Sequence, residues 1–356
     1  MYKTKFLLYI FIITSTFSFS QTYEDVLRYN SFTYEGTARF NSMGGAFGAL
    51  GGDVSAISIN PASSSVFIDS EIVISLNYKN QKINNILNNS MSESKNDYFS
   101  YGGIGAVLVY ENRKSKLSVG YNLKLLSDYN NSFNLTGNNN NGIDSYFLYY
   151  ADGIPYEDLL IYEDETTQSV YKYLGDNFGF ADQQAFLGYQ SFVINESDGS
   201  LNNYISNSNY NELNQNLDIN RIGNHLKHSF NVGTSFNKNL FAGININFHE
   251  TNFEETKTFQ ESGYTSNSSV KRVLLKENLL ALGNGVSFQV GTILKIKQLR
   301  LGVSYTSPTK LKINEENSQY LETDISDNDD LITYEIDPNV INIYDQYKLT
   351  LPSKSL

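Results

Sequence analysis

The clearest feature of this chain is a strict alternation of apolar and polar side chains over stretches of about ten residues. The segment HLKHSFNVGTSFN places Leu226, Phe230 and Val232 on one face and polar residues or glycine on the other. After a turn at Lys238 and Asn239, LFAGININFHE repeats the same pattern. A period of two residues is that of a β-strand, so the two segments predict an antiparallel hairpin.

Seven segments of this kind predict an all-β, antiparallel fold. Each one alternates, or is continuously apolar, for the length of a strand, and polar or turn-forming residues separate it from the next. In chain order they read EIVISLNYK, GGIGAVLVY, KLSVGYNLKLL, HLKHSFNVGTSFN, LFAGININFHE, GVSFQVGTILKIK and LRLGVSY.

The connections between these strands separate two kinds of all-β protein. In a soluble sandwich the apolar face points inward, whereas in an outer-membrane barrel it faces lipid, and alternation alone fits both. A barrel also alternates short turns at one end with long loops at the other, and this layout favours a transmembrane β-barrel here. Short connections lie at residues 111–115, 238–239 and 297–298, and long polar ones at residues 80–100, 127–224, 251–283 and 307–347.

The first residues have the order of an export signal. In MYKTKFLLYIFIITSTFSFSQ, Lys3 and Lys5 precede an apolar run that ends in Ser18 and Ser20. The run is too short for a spanning helix, which needs about 20 apolar residues. We therefore predict a signal peptide over residues 1–20, cleaved after Ser20, and an exported mature protein.

The composition of the chain argues against several other classes of protein. The 356 residues carry a formal charge of −12, whereas a nucleic-acid-binding surface needs a basic face, so we expect no nucleic-acid partner. There is no cysteine, which excludes disulfides and thiolate chemistry. Much of the apolar surface comes from 27 Tyr and 22 Phe rather than from dense aliphatic blocks.

A stretch rich in glycine and alanine, SMGGAFGALGGDVSAISINPAS (residues 42–63), precedes the first strand. A dinucleotide fingerprint needs a preceding strand and a P-loop needs a lysine, and this region has no strand ahead of it and no lysine between Lys5 and Lys79. The stretch is too short and too polar for a packed membrane helix. Small residues let backbone pack closely, so we expect this stretch to occupy a confined space such as a barrel lumen.

Four pieces of this region resemble the N-terminal hatch of the FadL-type outer-membrane transporters, in a version similar to that of Bacteroidota. They are G-T-A-R, M-G-G-A-F, D-V-S-A and N-P-A, in this order ahead of the first strand. The resemblance implies that residues 21–69 form a hatch inside a barrel made by residues 70–356. The residues that carry the motif are Gly36, Arg39, Met43, Gly44, Gly45, Asp53, Asn60, Pro61 and Ala62.

The resemblance also implies a function. It is passive uptake of hydrophobic small molecules, such as long-chain fatty acids or aromatic hydrocarbons, across the outer membrane of a Gram-negative bacterium. Outer-membrane lipid and lipopolysaccharide would surround such a barrel. Aromatic residues of the longest loop are candidates for ligand contact, with a packed loop core as the alternative for any one of them. The candidates are Phe147, Tyr149, Phe178, Phe180 and Phe186.

Two other functions stay open. Related barrels of the PorV kind share a similar hatch and act as binding and shuttle components of protein secretion, with a secretion-system partner. A structural surface protein, whose long loops bind other cells or matrix, is the third hypothesis.

The strand count departs from the family's pattern. That family builds a fourteen-stranded barrel, whereas seven strands are predicted here, and YKLTLPSKSL (residues 347–356) stops where an eighth would begin. Strands with a free edge cannot close around a hatch. We therefore hypothesise that the sequence is a truncated version of a longer protein and supplies about half of the strands.

Catalytic and metal chemistry find little support in the sequence. Alternation places His225 and His228 on opposite faces of one strand, so they and His249 are not expected to share a metal. The acidic run DISDNDD lacks the glycine and glutamate of a calcium loop, and we interpret it as a solvated loop. No Ser-His-Asp arrangement occurs at recognisable spacing. We expect neither an enzyme nor a cofactor.

Overall fold

The computed structural model describes residues 23–30, 33, 35–112, 115–197, 199–327 and 330–356. The predicted signal peptide, residues 1–20, lies outside the described residues. The chain divides into two units, Met1–Phe32 and Thr33–Leu356. In the first unit, Tyr23–Asn30 forms helix α1. The elements described below belong to the second unit.

Before the first strand, residues 36–67 form what we call the N-terminal segment. It contains helix α2 (Ala38–Ser42) and two 3₁₀ helices, η1 (Ser55–Ser58) and η2 (Pro61–Val66). Thr37 begins α2 by accepting a hydrogen bond from the Phe40 N–H. The segment contains most of the glycine-rich and alanine-rich stretch of the sequence.

The second unit consists mainly of antiparallel β-sheet. Its strands are β1 (Glu71–Leu87), β2 (Ser90–Glu111), β3 (Ser115–Asp128), β4 (Asn131–Asn139), β5 (Ile194–Glu196), β6 (Tyr204–Ser206), β7 (Leu213–Phe236), β8 (Leu240–Ser262), β9 (Val270–Ile296), β10 (Leu299–Thr306), β11 (Thr309–Asp327), β12 (Asp330–Ile336), β13 (Asn342–Leu351) and β14 (Lys354–Ser355). A 12-stranded sheet has the order β1-β2-β3-β7-β8-β9-β10-β14. In addition, β4 pairs with β7, β11 with β9, and both β12 and β13 with β11.

The seven strands predicted from alternation coincide with observed strands to within one residue, which confirms the antiparallel all-β prediction. The predicted count of seven is too low, because 12 strands join the main sheet among the residues described. The prediction of long loops at residues 80–100, 251–283 and 307–347 is wrong, because most of these residues extend the strands. On β8, for example, pairing with β7 and β9 continues to Ser262. The extensions carry mainly polar side chains on their exposed face, so they lack the apolar alternation that predicts a strand.

The fourth predicted long connection, residues 127–224, contains β4 and a small domain that we call the helical cap (residues 140–212). Fully buried Phe147 and Phe186 lie in its core, which packs against Val273 of β9 and Leu321 of β11. Gly179 has a φ of 104°, which lets the chain reverse between two helices of the cap. The cap contains α3 (Asp144–Ala151), η3 (Tyr156–Leu159), α4 (Thr167–Asn177), α5 (Phe180–Gln190) and the hairpin of β5 and β6.

The sheet buries its polar face and exposes its apolar face over the half that lies away from the helical cap. Asn231 and Asn245 are 2% and 1% exposed, whereas their neighbours Val232 and Ile244 are 46% and 55% exposed. We call the exposed apolar residues the apolar band. It comprises Ile72, Ile74, Leu76 and Tyr78 of β1, Leu108 and Tyr110 of β2, Leu117 and Val119 of β3, Phe230, Val232 and Phe236 of β7, Ile244, Ile246 and Phe248 of β8, Val286, Phe288, Val290, Leu294 and Ile296 of β9, and Leu299, Leu301, Val303 and Tyr305 of β10.

The outward face changes polarity part-way along the strands. On β8, outward residues are apolar up to Phe248 and continue as exposed Glu250, Asn252 and Glu254. The inward face changes in the opposite sense, because Asn247 is followed towards the cap by buried Phe253. The half of the sheet under the helical cap therefore buries apolar side chains such as Phe253 together with polar ones such as Glu255 and Glu261, whereas the other half is inverted, with a polar buried face and an apolar exposed face.

Strand β11 does not continue the apolar band. The chain passes from β10 to β11 through Ser307 and Pro308, and the register against β9 shifts there by one residue. As a result, Lys310 and Lys312 are exposed while Leu311 is fully buried. The apolar band thus ends at β10. Among the residues described, no helix is both long and apolar enough to cross a membrane.

An ion-pair cluster at the cap end of the sheet predicts a pH-dependent stability. Arg272 of β9 donates hydrogen bonds to Glu322 and to Asp324 (2.7 Å) of β11. The hydrogen bond from Arg272, followed by the one from Tyr320, holds the pKa of Glu322 below its ordinary value of 4.5. A lowered carboxyl pKa stabilises the fold above that ordinary value, and this stabilisation is lost as the pH falls through the folded-state pKa.

We therefore expect the melting temperature of Arg272→Met to lie below that of the unchanged protein at about pH 7. The difference between the two melting temperatures, which we call the gap, is expected to become smaller towards about pH 3. Thermal unfolding across this pH range measures both curves. A gap that stays constant with pH would contradict an electrostatic role for Arg272.

Candidate functional site

The N-terminal segment lies on the buried polar face of the inverted half of the sheet. Its η1 helix contacts β2, β3 and β7, and η2 contacts β3, β7, β8 and β9. Ala56, Ile57 and Ala62 in these helices are fully buried. The segment therefore covers side chains that would otherwise form a polar, solvated surface.

The sheet presents glycines where the N-terminal segment comes closest. A side chain at any of these positions would overlap the segment. These glycines lie on the neighbouring strands β7 to β10. They form a row of positions without side chains, which we call the glycine track, and the segment packs against it. The contacting pairs are Gly233 with Ser64, Gly243 with Pro61, Gly291 with Asn60 and Pro61, and Gly302 with Gly48 and Ala49.

Side chains of the sheet satisfy the backbone carbonyls of the segment. Short 3₁₀ turns leave carbonyl oxygens without partners, and a buried unpaired carbonyl costs free energy. In this protein, amide, ammonium and hydroxyl groups of four strands donate to these oxygens. The bonds are Lys227 Nζ to Ser58 O (3.1 Å), Asn231 Nδ2 to Pro61 O (2.9 Å), Asn245 Nδ2 to Ile57 O (2.9 Å), Gln289 Nε2 to Ile59 O (2.8 Å) and Ser304 Oγ to Ile59 O (2.9 Å).

Asn60 of the N-P-A motif joins three parts of this site. Its side-chain oxygen accepts from the Ala62 N–H (3.0 Å) and so caps η2, which Pro61 begins. Its side-chain nitrogen donates to Gly48 O (2.7 Å) and to Thr292 O of β9 (3.1 Å). Asn60 is fully buried. One side chain therefore holds the η2 helix, the glycine-rich turn and the sheet together.

The first half of the segment is stabilised by its own polar residues. Buried Asp53 accepts hydrogen bonds from Thr37 Oγ1 (2.7 Å) and from the Ser55 N–H (2.9 Å). Arg39 donates to Gly52 O (2.9 Å). These contacts bring Arg39 and Asp53 of the motif into one folded unit.

The remaining motif residues form turns. Gly44 and Gly45 have φ values of 61° and 75°, a region that favours glycine, and they follow Met43, which is 45% exposed. The Gly36 carbonyl accepts from Asn41 Nδ2 (3.2 Å). The structure therefore places all nine motif residues in one segment, with Met43 and Gly44 on its exposed side.

The three histidines divide between the two faces of the sheet. His225 and His249 are buried on the polar face, with His225 Nε2 3.2 Å from His249 Nδ1, and His249 Nε2 lies 2.9 Å from Ser287 Oγ. His228 lies on the other face, where its Nδ1 is 2.9 Å from Tyr121 Oη. This confirms the predicted separation of His225 from His228. In the part of the chain that the structure describes, no group of three or more His, Cys, Asp or Glu is placed to hold a metal ion.

The five aromatic candidates for ligand contact lie in the helical cap but in different environments. Phe147 and Phe186 are fully buried in its core. Tyr149, Phe178 and Phe180 are 77%, 57% and 39% exposed. The exposed three are therefore the ones that a molecule arriving from solvent could contact.

Sequence reasoning did not single out the sheet residues that bind the N-terminal segment. Asn231, Asn245 and Gln289 occupy polar positions of alternating strands, where the pattern predicts only that they share a face. The available signal is a glycine two residues from an amide side chain at matching positions of adjacent strands. This pattern can be recognised only when the register between the strands is known.

Comparison with protein-family models, with curated proteins and with solved structures finds no match for this chain. Its class therefore follows from its own fold. The chain forms a mostly antiparallel β-sheet, one half of which is inverted and covered on its polar face by the N-terminal segment.

Proposed function

We propose that this chain forms wall and hatch of an outer-membrane β-barrel that admits hydrophobic small molecules by passive diffusion. The inversion of the sheet is the observation that carries the proposal. An exposed apolar face over many adjacent strands is unfavourable in water and favourable in lipid.

The size of the apolar band supports a membrane setting. On β7 the outward face is largely apolar over residues 226–236, and on β9 over residues 286–296. A tilted strand needs about 9–11 residues to cross the hydrocarbon core. The polar outward residues beyond the band, such as Asn252 and Glu254, would then lie in water outside the membrane.

The N-terminal segment has the properties of a hatch. Many of its contacts with the sheet run through amide, ammonium and hydroxyl side chains that donate to backbone carbonyls. Water can replace such bonds at a modest net cost, about 0.5–1.5 kcal/mol each. A shift of the segment would therefore cost less than opening an apolar core of the same size.

A hydrophobic ligand would first meet the exposed aromatic residues of the helical cap and then enter the lumen that the segment gates. This movement needs no nucleotide, because burial of an alkyl chain contributes about 0.8 kcal/mol per CH₂ group. A small displacement of the segment then releases the ligand.

Uptake by cells tests the proposal. Deletion of the gene is expected to slow the initial rate of entry of labelled palmitate several-fold, and the unchanged gene to restore it. Asn60→Ala is expected to restore it only partly, because the change removes the three hydrogen bonds that this fully buried side chain forms with Gly48, Thr292 and Ala62.

Asn252→Ala is the matched control, since Asn252 is exposed on the outward face of β8, and it is expected to restore full uptake. Immunoblots of the outer-membrane fraction correct each rate for the amount of protein. If cells without the gene take up several hydrophobic compounds at the normal rate, the proposed function is wrong.

A further inference from the structure

Three lysines lie together on the outward face of the sheet, where the apolar band ends on the side of the helical cap. Lys310 and Lys312 are exposed on β11, and Lys348 is exposed on β13. The antiparallel register places Lys312 directly opposite Lys348, and Lys310 lies two residues further along the same face of β11. Opposed residues of neighbouring strands have Cβ atoms about 5 Å apart, so the three side chains share one surface. We call them the lysine patch.

The register with β9 fixes the position of the lysine patch relative to the apolar band. Lys310 is the partner of Val286, the residue at which the band ends on β9, and Lys312 is the partner of Asn284. The patch therefore lies at the boundary between the apolar and the polar outward surface. With the helical cap on the outer side of the membrane, this boundary meets the headgroups of the outer leaflet.

A surface depression of about 620 Å³ adjoins the lysine patch on the same face of the sheet. Phe248 and Val286 of the apolar band line one part of it. Asn284 and Asn314 also line it, and Asn314 lies two residues from Lys312 on β11. This mixed lining suits an amphiphile, because an acyl chain can lie against the apolar side chains while the headgroup contacts the amides and the lysines.

Little negative charge competes with an anion at the lysine patch. Among the residues that the structure describes, neither Lys310 nor Lys312 forms an ion pair with a carboxylate. Glu250 of β8 also lines the depression, and its Oε2 lies 3.9 Å from His228 Nε2. Asn284 of β9 stands between Glu250 and Lys312 in the register. Two strand spacings separate their Cα atoms by about 10 Å, so an anion bound at the lysines does not contact Glu250.

The lysine patch is unusual for this chain and is unfavourable without an anion. The formal charge of the whole chain is −12, so a local excess of positive charge is not a general property of its surface. Like charges that are directly opposed on neighbouring strands destabilise a sheet, as at Lys312 and Lys348. A phosphate monoester has up to two negative charges and three acceptor oxygens, so it can accept hydrogen bonds from more than one lysine.

We infer that the lysine patch and the adjoining depression form a binding site for the phosphorylated headgroup of an outer-leaflet lipid. The acyl chains of this lipid lie along Phe248 and Val286. The site is on the outward face, away from the N-terminal segment and the lumen, and it shares only the membrane setting with the proposed function. The bound lipid is a partner of the wall and not a transported substrate.

Equilibrium binding to the purified full chain in a neutral detergent tests the inference. The probes are radiolabelled dioleoyl phosphatidate and dioleoylglycerol, which share both acyl chains and differ by the phosphate. Phosphatidate is expected to bind at least about 25-fold more tightly, since each lysine close to an anionic headgroup contributes a factor of about five. In the double variant Lys310→Gln and Lys312→Gln, this preference is expected to fall to about five-fold or less, with dioleoylglycerol binding unchanged.

A second pair of exposed lysines provides the matched control. Lys82 of β1 and Lys95 of β2 are also direct register partners, and they lie outside the apolar band. The double variant Lys82→Gln and Lys95→Gln removes the same charge and is expected to keep the full preference. Arginine at both Lys310 and Lys312 retains the charge and is expected to keep most of it. Thermal unfolding of each variant checks that the compared proteins are folded.

Millimolar inorganic phosphate distinguishes a lipid headgroup from a free anion, and it is expected to leave phosphatidate binding unchanged. Full competition by inorganic phosphate would assign the site to a free anion and overturn the lipid site. Equal binding of the two lipids, or binding of neither, would also overturn it. A preference that survives the Lys310 and Lys312 double variant, or that is lost equally in the control, would show that the lysine patch does not select the lipid. These outcomes leave the uptake of palmitate by cells as a separate test of the proposed function.

Discussion

Replacing Gly291 with valine is expected to displace the N-terminal segment from the sheet. A Cβ atom at this position would overlap the Asn60 side chain and lie 2.8 Å from Pro61 Cδ. Neither group can yield freely, because Asn60 is bonded to Gly48 and Thr292 and Pro61 is buried in η2. Overpacking together with the lost hydrogen bonds is expected to cost about 3 kcal/mol or more.

Limited proteolysis of the membrane-embedded protein measures this displacement, with cleavage expected between residues 36 and 67 only in the variant. Thr292→Val is the matched control. It places valine at the next position of β9, where the side chain is exposed on the outward face, and leaves the backbone acceptor for Asn60 in place. Equal resistance of Gly291→Val and Thr292→Val to protease would show that the segment does not depend on the glycine track.

A lysine in the apolar band is expected to prevent stable assembly, while the same change further along the same strand is tolerated. Ile244 and Glu254 both lie on the outward face of β8, and both are exposed. If lipid surrounds the band, Ile244→Lys places a charge in hydrocarbon at a cost of about 2–4 kcal/mol. Glu254→Lys lies among polar residues in water and is expected to change the free energy of unfolding by no more than about 0.5 kcal/mol.

Unfolding in lipid vesicles and the yield of folded protein in the outer-membrane fraction measure the difference between the two variants. In a soluble protein a lysine at a position that is 55% exposed would be harmless. Equal stability of Ile244→Lys and Glu254→Lys would therefore contradict a membrane setting for this face.

If the outward face lies in lipid as proposed, the two faces of the sheet would let one protein combine a stable wall with a movable segment. Apolar contact with lipid would then hold the outward face, and continuous backbone pairing holds the strands together. The inward face binds the N-terminal segment through polar side chains such as Asn231 and Gln289, whose bonds water can replace. The helical cap, by contrast, is built around an apolar core that contains Phe147 and Phe186.

Much of the sheet could be predicted from sequence, but its length could not. Alternation in LFAGININFHE predicts the first half of β8, where the two faces differ in polarity. Towards Ser262 both faces carry polar residues, and pairing with β7 and β9 maintains the strand without an apolar signal. Alternation does not predict the helices of the cap, because their residues belong to a long connection without a period of two.

Of the two sides of the candidate site, the N-terminal segment could be predicted from sequence and the sheet residues that bind it could not. The N-P-A and M-G-G motifs stand out in the sequence, and Asn60, Pro61 and Ala62 do lie at the centre of the contact with the sheet. Their partners Asn231, Asn245 and Lys227 are far away in sequence. Each of these residues is unremarkable within its own strand.

Local alternation is enough to locate the strands and to divide each into an apolar and a polar face, because a period of two is a property of neighbouring residues. Which of the two faces is buried depends on contacts between distant segments. The side chains of Asn245 and Ser304 would suit a solvated surface equally well. They are buried because the N-terminal segment packs over them, with the carbonyls of Ile57 and Ile59 accepting their hydrogen bonds. The same contact leaves Lys124 and Lys227 opposed in a closed space, since burial and charge depend on which distant segments meet.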